Sequence, residues 1–218
     1  MWITFVTNTQ ADDYPQINGV AAGGSYQTQA TAIIPLPSGI VSGERLLVVT
    51  AARGSFSISP PSGWTPIVAD QTSPISVLIA ERTATGTEDL NLNIVLDSEA
   101  SWASVAMRLS GVTMRSAAYV ARETGFPDPP VQSWSTGSRD SLALAIAAVD
   151  FEDTSQTWTS DPSNYSAVAT SRPTDGFKAW ISVRVAQRQL PDISSENPGT
   201  YLLNGPHPWA ASTLLLAS

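Results

Sequence analysis

The sequence predicts an all-β fold, an antiparallel jelly-roll-like β-sandwich built from two sequence-related halves. Three observations carry that expectation. Segments rich in Val, Ile, Leu, Ala and Thr recur between clusters of Gly, Pro, Ser and Asp, the pattern of many strands joined by turns. No segment has to be helical. Four elements also recur in the same order in both halves of the chain.

Residues 2–7 alternate apolar and polar side chains and turn polar at once, so they read as a strand and not as the basic-then-apolar start of a signal peptide. Residues 12–26, with Gly19, Gly23 and Gly24, read as an adaptable loop before a strand at 27–34. Strands at 45–51, 64–69 and 75–83 follow. Asn91-Leu92-Asn93-Ile94-Val95-Leu96, within a strand at 90–96, opens with apolar and amide side chains alternating, as a half-buried antiparallel strand should. A strand at 102–110 completes the first set.

Residues 122–137, with Pro127, Pro129 and Pro130, read as a crossover loop between halves or, alternatively, as a domain boundary. Strands at 141–149, 157–159, 165–169, 178–187 and 210–217 make up the second set. The stretch 189–199, with Pro191 and Pro198, is a second long polar loop of the kind that carries binding functions.

The repeat aligns Leu46-Leu47-Val48-Val49 with Leu142-Ala143-Leu144-Ala145, and Pro61-Ser62-Gly63-Trp64 with Pro162-Ser163-Asn164-Tyr165. It also aligns Ser76-Val77-Leu78-Ile79 with Ser182-Val183-Arg184-Val185, and Ser101-Trp102-Ala103 with Pro208-Trp209-Ala210. A period near 100 residues is too long for a solenoid or propeller, whose repeats run at about 20–50 residues. Neither four-stranded set closes a core alone, so one sandwich over 1–218 is expected, with halves 34–112 and 138–218 packed face to face and strands within 1–33 completing the sheets.

Composition narrows the function. A net charge of −8 with scattered single arginines excludes nucleic acid as a partner and disfavours anionic membranes. Apolar runs are too short to span a bilayer, so no membrane insertion is expected. The absence of cysteine excludes disulfides, thiolate chemistry and Cys-based zinc sites. Charged residues make up only 14% of the chain, a surface suited to packing against copies of itself or other subunits.

His207, the single histidine, sits in Gly205-Pro206-His207-Pro208 without a Gly-x-Ser-x-Gly elbow elsewhere, so a Ser-His-Asp triad is not expected. The acidic side chains cannot be paired into a glycosidase couple from sequence. Asp150-Phe151-Glu152-Asp153 lacks the spacing of a calcium loop. The expectation is accordingly no catalytic residue, no metal and no cofactor. Of seven tryptophans, Trp102 and Trp209 occupy matched repeat positions, as do Trp64 and Tyr165, which points to structural plugs. Trp2, Trp134 and Trp158 lack repeat mates and are the candidates for ligand or subunit contact.

At Pro61-Ser62-Gly63-Trp64-Thr65, with Leu46-Leu47-Val48 before it and Ala84-Thr85-Gly86-Thr87-Glu88 and Ser110-Gly111-Val112 after it, the chain resembles a recurrent domain of tailed-phage structural proteins. Such domains occur in head spikes or fibres, capsid decoration proteins and tail adhesins, including those of gene transfer agents. The resemblance covers residues 34 to 112 and implies a virion or cell-surface setting, with no catalytic residue to carry over. The function it implies is that of a virion structural protein on the capsid or tail surface, made in the host cytoplasm and acting through contacts with other subunits and its own copies. The alternative is a carbohydrate-binding adhesin module that attaches a phage-like particle to host surface polysaccharide. A glycan-cleaving enzyme is a third reading.

Overall fold

A computed structural model describes residues 14–71, 74–151, 153–173 and 181–218. The strand expected at 2–7, with Trp2, lies outside the described residues. The first half of the chain forms β1 (Gln16–Pro35), β2 (Arg45–Arg53), β3 (Ile58–Ser59), β4 (Thr65–Asp70), β5 (Ile75–Thr83) and β6 (Asn91–Ser110). The second forms β7 (Met114–Arg122), β8 (Gln132–Ser133), β9 (Arg139–Asp150), β10 (Trp158–Ser160), β11 (Ser166–Ser171), β12 (Ile181–Ile193), β13 (Ser195–Glu196), β14 (Leu202–Leu203) and β15 (Trp209–Ala217).

These strands make two antiparallel sheets stacked as a sandwich. One has the order β1-β6-β2-β5-β4, with β3 also pairing to β6; the other has the order β7-β15-β9-β12-β11. Each half of the chain thus supplies one sheet, and equivalent strands occupy equivalent places. The pairings among the described residues give two antiparallel sheets and do not show jelly-roll closure. The short pairs β10–β14 and β8–β13 lie outside both sheets.

The registers repeat as well. Trp102 pairs with Ala52, and Trp209 with Val149; Ser76 pairs with Ala52, and Ser182 with Val149. On the edge strands Thr65 faces Glu81 while Ser166 faces Gln187, and both strands slip register at the same place, between Pro66 and Val68 and between Ala167 and Ala169. This register aligns Leu47 with Leu144 and shifts the sequence alignment of β2 and β9 by one residue. The shift is physically required, because successive strand side chains point to opposite faces. Leu47, Val49 and Ala51 then meet Leu144, Ile146 and Ala148 in the core between the sheets.

β7 has no counterpart among the expected strands. It is the equivalent of β1: Val20 pairs with Met107 as Ala117 pairs with Leu214. The passage from one sheet to the other is consequently the short turn at Gly111, between Ser110 and Met114, and not 122–137, which runs from β7 to β9 within the second sheet. The segment expected as a loop at 12–26 is mostly strand. Its glycines answer to close approaches: a Cβ on Gly23 would lie 2.5 Å from Pro35 at the far end of the same strand. One on Gly19 would meet the Arg108 side chain, which is held there by Glu44 at 3.2 Å.

Both sheets are buried on both faces, which explains why their central strands read as unbroken apolar runs. Leu46, Val48 and Ala52 face away from the inter-sheet core into a second cluster. The far halves of β1 and β6 cover it with Ile34, Ile94 and Leu96. On the other sheet Ala145, Ala147 and Val149 face a third cluster closed by Phe151, Tyr201 and Leu203.

Each β4-type strand is preceded by the same turn. The Trp64 N–H donates to Pro61 O at 3.2 Å and the Tyr165 N–H to Pro162 O at 3.1 Å. The third turn residue is left-handed in both, Gly63 at φ 85° and Asn164 at φ 66°. A left-handed L-residue carries a penalty of roughly 1–2 kcal/mol that glycine avoids. Gly63→Ala is therefore expected to destabilise by about 1–2 kcal/mol, and Asn164→Gly to be neutral or slightly stabilising, both read from urea-unfolding midpoints.

Candidate functional site

Of the aromatic candidates, Trp134 is only 8% exposed and packs with Ala143, Leu190, Leu215 and Ala217 over the second sheet. Its indole N–H donates to Ser141 Oγ at 3.0 Å, and Arg139 lies 5.7 Å from the ring centre. Trp158 is half-buried, donates to Ser182 Oγ at 2.9 Å and meets Phe151 and Tyr201 edge-on at 5.8 and 5.4 Å. Both rings are engaged with the fold. Trp2 lies outside the described residues.

Trp102 and Trp209 are buried at equivalent register positions, and Trp64 is buried while Tyr165 is half-buried. His207 is buried, with its ring edge-on to Phe151 at 5.2 Å. Asp150 is ion-paired with Arg53 at 2.9 Å. The Asp153 carboxylate accepts from the Ser155 N–H and hydroxyl and from the Gln156 N–H, and the Ser155 bonds hold it below the usual carboxylate range. Among the described residues no group of three or more His, Cys, Asp or Glu side chains is placed to hold a metal ion.

The surface offers three features that the aromatic pattern missed. The first is an uncharged stretch: no Asp, Glu, Lys, Arg or His occurs between Asp13 and Glu44. It forms the edge strand β1, whose far half pairs with Asn91–Val95 of β6. Ile33 and Val95 stand on the outer face of this ribbon, 55% and 62% exposed, and Leu90 at its end is 77% exposed. Their neighbours there are Thr31 and Asn93, so this part of the ribbon face is partly apolar, with the exposed Asp97 two residues beyond Val95 on β6.

The second feature is a groove of about 220 Å³ beside Tyr26, Thr28, Arg53 and Glu99. A register shift between Ser25 and Gln29 places Tyr26 and Thr28 at a bulge, and the Trp102 indole N–H reaches Gln29 Oε1 at 3.3 Å beside it. The β7 strand stops at Arg122, the position equivalent to Ser25, and so has no such bulge.

The third feature lies where the sheets meet at their edges. β1 stacks on β11 and β7 on β4, so the sandwich has two equivalent seams. At the β7 seam, Glu81 bridges the sheets to Arg115 at 2.6 Å and also approaches Arg45 at 3.8 Å. At the β1 seam a groove of about 270 Å³ opens, lined by Gln16, Ile17, Ser166, Gln187, Arg188 and Gln189. Arg188 is itself paired with Glu196 at 3.6 Å.

The fold and these surfaces define an all-β protein of two antiparallel sheets with polar edge grooves and a partly apolar ribbon face. Comparison of the chain with protein-family models, with curated proteins and with solved structures finds no match in any of the three. No helix among the described residues is long and apolar enough to cross a membrane.

Proposed function

We propose that the chain is a virion structural protein on the capsid or tail surface, as a head-spike or fibre base or a decoration protein, acting through subunit contacts. The observation that carries this reading is the uncharged segment between Asp13 and Glu44, which presents Ile33 beside Val95 on the ribbon face. Exposed apolar side chains grouped on one face mark contact sites. In a chain of net charge −8, the uncharged β1 edge is where another acidic subunit meets less repulsion.

Sedimentation velocity at micromolar concentration tests the reading. The chain is expected to self-associate or to co-sediment with particles of the organism that encodes it. A double variant Ile33→Lys, Val95→Lys is expected to lose that association with an unchanged thermal midpoint, because both side chains are solvent-facing. A wild-type chain that associates with neither particles nor itself refutes the proposal.

A second reading, a carbohydrate-binding adhesin module that attaches a phage-like particle to host surface polysaccharide, is favoured by the polar groove at the β1 seam.

A further inference from the structure

We propose that the open seam between β1 and β12 is a binding site for one residue of an uncharged saccharide chain. The proposal rests on the adhesin reading and gives it a site. The internal repeat supplies two equivalent seams that differ in their side chains and in one bulge, which interrupts β1 between Ile17 and Gly19 and has no counterpart in β7.

Leu109 pairs with Arg45 and Ile17, whereas the equivalent Leu216 pairs with Leu142 and Arg115. Ile17 therefore stands where the other seam has Arg115, and Leu142 where it has Arg45. Gln187 faces Ser166 as Glu81 faces Thr65, so Gln187 stands in place of Glu81. Three charged side chains that cross-link one seam are replaced by Ile, Gln and Leu in the other. Among the described residues, the groove is open at this seam. The opening goes with the loss of these three charges and with the β1 bulge between Ile17 and Gly19, which the β7 seam lacks.

The lining decides the ligand class. Each glutamine amide offers donors and an acceptor, and the Ser166 hydroxyl, which donates to Gln187 O at 3.4 Å, adds an acceptor, which matches the dual character of sugar hydroxyls. Ile17 supplies an apolar wall for the C–H groups of a ring. Among the described residues that line the groove the one cation is Arg188, and its charge is answered by Glu196. The net charge of −8 disfavours acidic glycans further. At about 270 Å³ the groove lies below the roughly 300–1,000 Å³ of drug-sized pockets. It takes a single sugar residue with the rest of the chain in solvent. Such a site binds weakly alone, and copies displayed on one particle raise the avidity.

The test is an NMR titration of the isotope-labelled full chain with maltotetraose, cellotetraose and N-acetylchitotetraose as neutral probes and an oligogalacturonate as the acidic one. At least one neutral probe is expected to shift the side-chain amide signals of Gln16, Gln187 and Gln189 saturably, and the acidic probe to shift them less. The double variant Ile17→Arg, Gln187→Glu, which installs the ion pair of the closed seam, is expected to weaken binding about tenfold or more without lowering the unfolding midpoint. Gln189→Ala, at an exposed position, provides a second variant that keeps the fold. Shifts confined to signals around Tyr26 would overturn the seam assignment while leaving the adhesin reading standing. No shift with any probe would overturn both. Binding that survives in both variants, or that favours the acidic probe, would also overturn the seam site.

Discussion

Replacing Tyr201 by alanine is expected to destabilise the protein by about 3–5 kcal/mol, read as a drop in the urea-unfolding midpoint. Tyr201 is fully buried and covers the outer face of the second sheet, where Ala145, Ala147 and Ala186 provide little bulk of their own. Truncation would leave a cavity against the Trp158 ring at 5.4 Å and remove the bond from the Tyr201 hydroxyl to Ala145 O at 2.7 Å. Tyr201→Phe separates the two contributions, since it keeps the ring and loses one hydrogen bond of about 1 kcal/mol. Equal losses in both variants would mean that the ring is not a packed cover for this face.

Raising the pH above about 10 is expected to lower the stability of the protein progressively, with ionisation of its buried tyrosines accompanying unfolding and not preceding it. Burial raises the Tyr201 hydroxyl well above the ordinary tyrosine value, and the nearby Asp161 carboxylate adds to the shift. Burial likewise raises Tyr119, reinforced by Asp70, and Tyr165, reinforced by Glu196. The sign follows from linkage. Above the unfolded value near 10 the unfolded chain gives up these protons while the native chain keeps them, so stability is whole below that pH and falls above it. For the fully buried Tyr201 the loss is about 1.4 kcal/mol per pH unit, and the half-buried Tyr119 and Tyr165 add smaller decrements. Tyrosinate absorbance from these three should rise together with the loss of the β-sheet circular-dichroism signal. Their ionisation in a still-folded chain would contradict the burial.

Much of the fold was legible because strands and turns leave local signatures. The Pro-Ser-Gly-Trp and Pro-Ser-Asn-Tyr segments announced equivalent turns, and Gly63 and Asn164 are the residue types that accept a left-handed backbone. Edge strands left weaker signatures. β7 is built from Ala117, Ala118, Tyr119, Val120 and Ala121 between two arginines, a pattern poor in β-branched side chains. The glycines of β1 imitate a loop, although Gly23 is there to admit Pro35. The aromatic residues without repeat mates that the structure describes belong to the packing and not to an open site. Trp134 and Trp158 cover the outer face of the second sheet, a role that repetition alone does not reveal.

The sequence by itself determined that the chain is all-β, that it repeats, and which short segments turn. Only the tertiary structure decided which face each side chain occupies and where the two sheets leave an opening. Central strands buried on both sides carry apolar residues at every position, so their pattern does not state a facing, and a one-residue slip between β2 and β9 reverses all of them. The β1 seam depends on Ile17, Leu142 and Gln187, residues far apart in the chain. They become comparable with Arg115, Arg45 and Glu81 only once the register of both sheets is fixed.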